Sequence, residues 1–119
     1  MSIFTTILAS IVALEHLYIM YLETFATHSD STSRVFNMTK DELQRKSVTT
    51  LFKNQGIYNG LLAIFLLYGI FTGNLEITTI FVLFVIAAAV YGAISSNPKI
   101  LLKQGGPAIL ALISVLLFK

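Results

Sequence analysis

Three ionisable side chains stand inside an apolar run near the start of the chain: Glu15, His16 and Glu23. Glu and His are the side chains best suited to hold, pass or accept a proton, or to bind a polar ligand. Glu15 and His16 fall near the middle of that run, where an ionisable residue costs several kcal/mol or more relative to an apolar one, and Glu23 falls near its end. Their presence there points either to proton or substrate handling or to a structural pair that fixes helix packing. His16 and Glu23 are seven residues apart, so they share a helix face with Met20 between them, separated by a rise of roughly 10 Å. Glu15 lies about 100° around the helix from His16, nearer Tyr18, Ile19 and Leu22. One His and two Glu are also metal-ligand types, but that rise keeps all three from meeting one ion. No metal and no cofactor are expected, and no catalytic residue is assigned beyond the candidates Glu15 and His16.

Further polar groups gather elsewhere. Asn54, Gln55, Tyr58 and Asn59 open a second apolar segment. Gln55 and Asn59 are four apart and share a face. Gly56 and Gly60, also four apart, form a small-xxx-small stripe that lets another helix approach closely. Tyr91, Gly92, Ser95 and Ser96 end a third segment, and Lys103, Gln104, Gly105, Gly106 and Pro107 begin a fourth. The expected cavity-lining or ligand-binding set is Glu15, His16, Glu23, Gln55, Tyr58, Asn59, Tyr91 and Gln104. Tyr58 and Tyr91 equally suit an aromatic belt at the membrane interface.

The elements that must position these groups follow from length and hydropathy. Crossing a hydrocarbon core of about 30 Å takes roughly 20 helical residues. Four spans qualify, at about 3–25, 55–71, 77–94 and 100–118. Gly73-Asn74 and Asn97-Pro98 are tight-turn signals between the later spans. Loops that short make neighbours antiparallel, so the expected fold is all-α, an up-down four-helix integral membrane bundle in one transmembrane domain. The long connection, residues 27–54, opens with a polar stretch from His28 to Ser33. Thr39 with Glu42 then forms a capping box, followed by Leu43, Ser47, Val48, Leu51 and Phe52 at helical spacing. That pattern predicts a short interfacial helix leading into span two. Neither Gly nor Pro separates Lys40 from Gln55, so one continuous helix is the alternative. In span four the apolar run Ala108–Phe118 is too short to cross alone. Lys103–Pro107 therefore enters the membrane, with a bend at Gly105-Gly106 and the helix restarting at Pro107.

Composition agrees. Hydrophobic residues make up 55% and charged residues 12% of the 119 residues, against about 25% charged in soluble domains. The net charge of +2, with no basic stripe carrying interleaved aromatics, argues against nucleic-acid binding. With no Cys, disulfide, thiolate and Cys-metal chemistry are excluded. The start of the chain lacks the basic n-region of a secretory signal. Lys40-Asp41-Glu42-Leu43 spells an internal, unreadable copy of a retention signal.

Arg34, Lys40, Arg45, Lys46, Lys53, Lys99 and Lys103 fall on one side of the spans and Lys119 alone on the other. The positive-inside rule makes loops 27–54 and 95–99 cytoplasmic and both termini external, in a multi-pass protein of the cell membrane. The sequon Asn37-Met38-Thr39 is then cytoplasmic and silent. Glu23, Gln55, Asn59, Tyr91 and Gln104 all fall in the cytoplasmic half, while the outer half reads as almost wholly apolar. That asymmetry predicts a polar cavity open to the cytoplasm.

Glu15-His16-Leu17-Tyr18, Leu22-Glu23, Val35-Phe36, Asn54-Gln55-Gly56-Ile57-Tyr58-Asn59-Gly60, Tyr91-Gly92-Ala93 and Gln104 before Pro107 occur in this order. Together they resemble a family of small four-span bacterial and fungal membrane proteins known only as a domain of unknown function. The resemblance covers essentially the whole chain, and the Asn-Gln-Gly-x-Tyr-Asn-Gly block is its most specific piece. It implies that Glu15, His16, Glu23, Asn54, Gln55, Tyr58, Asn59, Tyr91 and Gln104 form one signature. The family tends to carry a Trp at the end of span one, where this chain has Phe25-Ala26-Thr27. The resemblance implies fold and site but no activity. Proton-linked transport or binding of a small polar ligand is the leading expectation. An acid–base enzyme acting on a lipid or apolar substrate, and a structural assembly subunit, are the alternatives. The bilayer is the expected partner, and four spans being few for a transporter, a homo-oligomer is expected.

Overall fold

Apolar segments that cannot hydrogen-bond to solvent satisfy their backbone internally by forming helices. The computed structural model describes residues 1–118, with the backbone alone at 100 and 101, and it is all-α. Its elements are α1 (Ile3–Met20), a π-helical turn (Tyr21–Phe25), α2 (Asp30–Phe36), α3 (Lys40–Gln44), α4 (Lys46–Phe71), α5 (Leu75–Ser95), α6 (Lys99–Lys103) and α7 (Gly106–Phe118). Ile3–Phe25, Lys46–Phe71 and Leu75–Ser95 are long and apolar enough to cross a membrane. At the α-helical rise they measure roughly 34, 39 and 31 Å. The apolar C-terminal helix α7 is shorter, 13 residues or roughly 20 Å.

Local chemistry explains the boundaries. Gly73 adopts the left-handed region at φ 64°, which ends α4 at no steric cost. Asn74 then caps α5 by accepting from the Ile77 N–H at 3.0 Å. At the other end of α5, the Lys99 N–H donates to the Asn97 side chain at 3.0 Å. The expected bend in span four falls at Gln104-Gly105. The new helix starts at Gly106 rather than Pro107, and Pro107 sits in its first turn, where a missing N–H costs nothing.

The long connection differs from expectation in three ways. Residues 30–36 form a helix where a polar loop opening is expected. Ser29 caps it, accepting from the Thr32 N–H at 3.2 Å, and Asn37 ends it at φ 53°. The capping box at Thr39 and Glu42 is present, but its helix stops at Arg45, whose ψ of 132° is extended. Leu43 is wholly buried, and its carbonyl, freed at this end, accepts the Thr49 hydroxyl at 2.7 Å. A side chain competing for a backbone acceptor breaks the helix here without Gly or Pro. Finally, the second long helix begins at Lys46, nine residues before the expected Gln55.

The chain divides into two compact units. In the unit formed by Met1–Glu15 and the chain from Ala63 onward, α5 packs on α6 and α7. Its buried positions are mostly small or hydroxylated: Thr5, Ala9, Ala13, Ala89, Ala108, Ala111 and Ser114. Ile7, Leu14, Ile64, Phe84 and Leu116 are exposed. Small residues inside and large apolar residues outside is the arrangement of helices packed for lipid surroundings. The other unit, His16–Leu62, is built from the end of α1, the π turn, α2, α3 and the first part of α4.

Candidate functional site

Within His16–Leu62 one face of α4 carries Thr49, Phe52, Lys53, Gly56, Asn59 and Gly60 at helical spacing. Phe52 meets Phe36 of α2 edge-on, with ring centroids 5.1 Å apart. The Lys53 carbonyl accepts the Thr24 hydroxyl at 3.0 Å. A Cβ on Gly56 would overlap Thr24 Oγ1 and lie 3.1 Å from Glu23 Cβ, and one on Gly60 would overlap Met20 Sδ. The two glycines therefore let α4 close onto the end of span one, as the small-xxx-small spacing predicts.

That close approach creates the site. Asn59 Nδ2 donates to Glu23 Oε1 at 2.6 Å. Glu23 is wholly buried, and its second oxygen, Oε2, has no hydrogen-bond partner. A buried carboxyl oxygen without a donor is costly, so the geometry holds one oxygen and leaves the other poised to accept.

The backbone under Glu23 is unusual. In the π turn the Ala26 N–H reaches back to the Tyr21 carbonyl at 2.9 Å. Such wide turns leave carbonyls short of partners and recur at functional sites. Here hydroxyls supply them. Thr27 donates to the Glu23 carbonyl at 2.7 Å. The wholly buried Thr32 donates to the carbonyls of Ala26 at 2.6 Å and Leu22 at 3.2 Å. Thr27 and Thr32 thus hold the turn that presents Glu23. Sequence reasoning missed both, although a Thr four residues after Glu23 is a readable signal.

The remaining expected residues divide. His16 is buried in the same unit as Glu23. Gln55, expected to share a role with Asn59, is exposed, and so are Asn54 and Tyr58. Glu15, Tyr91 and Gln104 belong to the other unit. Glu15 is half-buried, and its Oε1 is enclosed without a partner. Tyr91 is exposed and Gln104 half-buried. Within the expected set, Glu23 and Asn59 are joined directly by a hydrogen bond.

The other unit holds a polar contact of a different kind that the sequence reading did not anticipate. The hydroxyls of Thr5 and Ser114 lie 2.7 Å apart, both buried, and Ser114 also donates to the Ala111 carbonyl at 2.7 Å. Thr78 is buried nearby in sequence to the α4–α5 turn, and its hydroxyl is unpartnered.

At the polar edge, Asp30 pairs with Lys40, which holds its carboxyl below the ordinary value. Glu42 is lowered as well, because the Thr39 N–H and hydroxyl both donate to it.

Comparison with known proteins bears on the family resemblance. The chain is 61% identical over 116 residues to a protein of Lactococcus lactis subsp. lactis (strain IL1403) described as uncharacterized protein YpaA, covering 96% of this chain and 98% of that one. No solved structure matches. The family described as "Protein of unknown function (DUF1304)" matches residues 10–116, a stretch containing every residue of the signature, and the chain belongs to that family.

Proposed function

We propose that this is a four-span membrane protein, a single transmembrane domain in which α6 and α7 together make the fourth crossing. Its buried Glu23–Asn59 centre binds a small polar ligand or a proton and passes it toward the cytoplasm. The observation that carries this reading is the unpartnered Glu23 Oε2 in a side chain that is otherwise wholly enclosed. A carboxylate at membrane depth needs a counter-charge, a donor or a proton. Asn59 satisfies Oε1 and, being neutral, supplies no charge. Oε2 is left to accept from an N–H or O–H group of a ligand, or to take the proton itself. His16, buried in the same unit seven residues before Glu23, is the second proton-exchanging group in this proposal. Gln55 and Tyr58, exposed on the same stretch of α4 as Asn59, belong to the proposed centre as rim contacts.

Orientation rests on the basic residues. Seven of them lie in or beside loops 27–54 and 95–99, which face the cytoplasm in this proposal, with both termini outside. Lys119, the one basic residue assigned to the outer side, lies outside the described residues. The exposed large apolar side chains of α1, α4, α5 and α7 suit lipid contact and a homo-oligomer equally.

Carbodiimide reagents modify protonated carboxyl groups in apolar surroundings, so they test the centre directly. In lipid, Glu23 is expected to be labelled preferentially, with Asn59→Leu changing the rate and Glu23→Gln abolishing it. Proton uptake by reconstituted vesicles, read with an internal pH dye, should fall to background in Glu23→Gln. Unlabelled Glu23 with vesicle flux equal in wild type and Glu23→Gln would refute the reading and favour a structural subunit.

A further inference from the structure

A second site lies at the polar end of span one. Thr24, Phe25, Ala26, Thr27, His28 and Ser29 enclose, with Lys53 of α4, an open pocket of about 300 Å³, at the small end of the ligand-pocket range. We propose that this pocket binds a phosphate ester, with Lys53 as its positive charge and the His28 ring, held by Thr49, as one of its walls.

Three observations carry this. First, the pocket walls are held. The Thr24 hydroxyl donates to the Lys53 carbonyl at 3.0 Å, tying α4 to the turn. His28 Nε2 lies 3.0 Å from Thr49 Oγ1. The Thr49 hydroxyl proton is already given to the Leu43 carbonyl, so Nε2–H is the donor to Thr49, and that bond holds the imidazole in place as a wall of the pocket.

Second, the local charge is positive. Lys46 and Lys53 are seven residues apart and flank Thr49 on one face of α4. Two nearby acids are held elsewhere, Asp30 by Lys40 and Glu42 by the Thr39 cap, and the buried Glu23 is not among the residues that line the pocket. An anion is therefore favoured, and Lys is a phosphate binder that acts as a point charge.

Third, the pocket stands where the apolar span gives way to a polar connection. Phe25, 71% exposed, forms one wall. An apolar ring beside a lysine suits an ester whose charged end meets Lys53 and whose carbon end lies against Phe25. A phospholipid headgroup and a soluble phosphate ester share that chemistry. Juxtamembrane lysines attract anionic lipids.

The site stands apart from the Glu23 reading, because none of its ligand contacts is Glu23 or Asn59. The full chain in mild detergent would be offered phosphatidylglycerol or phosphatidylcholine, and retained lipid counted by native mass spectrometry. Phosphatidylglycerol should be retained preferentially, and Lys53→Gln should weaken retention about fivefold. His28→Ala should weaken it less, and Lys99→Gln, on a different loop, should leave it unchanged. Thermal unfolding of each variant separates loss of binding from loss of fold. Displacement of the lipid by glycerol 3-phosphate identifies the soluble ester as sufficient, and retention against it identifies the lipid. Retention unchanged in the Lys53→Gln, His28→Ala double variant, or lowered equally by Lys99→Gln, would overturn the assignment.

Discussion

The Thr5–Ser114 contact of one unit and the Glu23 centre of the other treat buried polar groups differently. Around Thr5 and Ser114 each hydroxyl meets another, and Ser114 also bonds a backbone carbonyl. These groups are neutral, small and paired, and the helices around them pack through alanines. Around Glu23 the buried group is a carboxyl, one oxygen is held at 2.6 Å and the other is not held at all. The backbone beneath it is a π turn sustained by two threonine hydroxyls. A paired hydroxyl is sufficient to fix helix packing, whereas a half-satisfied carboxyl stabilises packing poorly. The contrast favours the second region over the first as the seat of the proposed function.

Glu23 offers the largest test of that contrast. Glu23→Gln keeps an acceptor for Asn59 and removes the proton-exchanging group. It should abolish carbodiimide labelling and vesicle proton uptake while leaving the unfolding temperature equal or higher. Thr5→Val should do the opposite, leaving uptake intact. A Thr5→Val protein that loses uptake as fully as Glu23→Gln would erase the distinction between the regions.

Packing around the site comes next in size. Gly56→Ala forces a Cβ onto Thr24 Oγ1 and against Glu23 Cβ, an overpacking cost of about 1–3 kcal/mol. Gly60→Ala meets the flexible Met20 thioether instead and should cost less. Unfolding in detergent of both variants checks the order, and a larger loss at Gly60 would contradict the close approach at Glu23.

A smaller effect is expected at the hydroxyl pair. Interhelical hydrogen bonds in membranes are worth about 0.6 kcal/mol on average. A double-mutant cycle of Thr5→Val and Ser114→Ala should give a coupling of that order. Zero coupling would remove the pair as packing glue.

The smallest effect lies at the exposed connection. Glu42 is held below its ordinary value by the Thr39 cap. A group whose folded value is depressed contributes stability above its unfolded value and loses it as pH falls through the folded one. Hydrogen exchange over Thr39–Leu43 should be slower in wild type than in Glu42→Gln at neutral pH. The difference should vanish once the pH is below the ordinary carboxylate range. A difference that persists there would assign the protection to something other than the capping box.

Much of this was legible in the chain itself. Apolar length located the three long helices, and Gly73, Asn74 and Asn97 located their turns, because these signals are local. Thr39 and Glu42 announced a capped helix for the same reason. Its stop at Arg45 was not legible, since the break comes from the Thr49 hydroxyl reaching the Leu43 carbonyl, a contact six residues long. The helix at 30–36 has readable ends in Ser29 and Asn37, but its polar composition gives no apolar stripe to mark it. At the site, Glu23, Asn59 and the glycine stripe were singled out individually, whereas Gln55 was grouped with Asn59 on spacing alone.

The amino-acid sequence by itself determined that this chain is helical, apolar enough for a membrane and punctuated where it turns. Those properties depend on residues within one or two turns of each other. Tertiary structure decided which polar groups meet. Helical spacing gives relative phase along one helix, but not which face a neighbour covers. Gly56 and Gly60 bring one face of α4 to span one, which turns Asn59 toward Glu23 and leaves Gln55 exposed. The π turn shifts the phase again just where Glu23 projects. Which carboxyl oxygen is satisfied, and which is left to accept, follows from that packing alone.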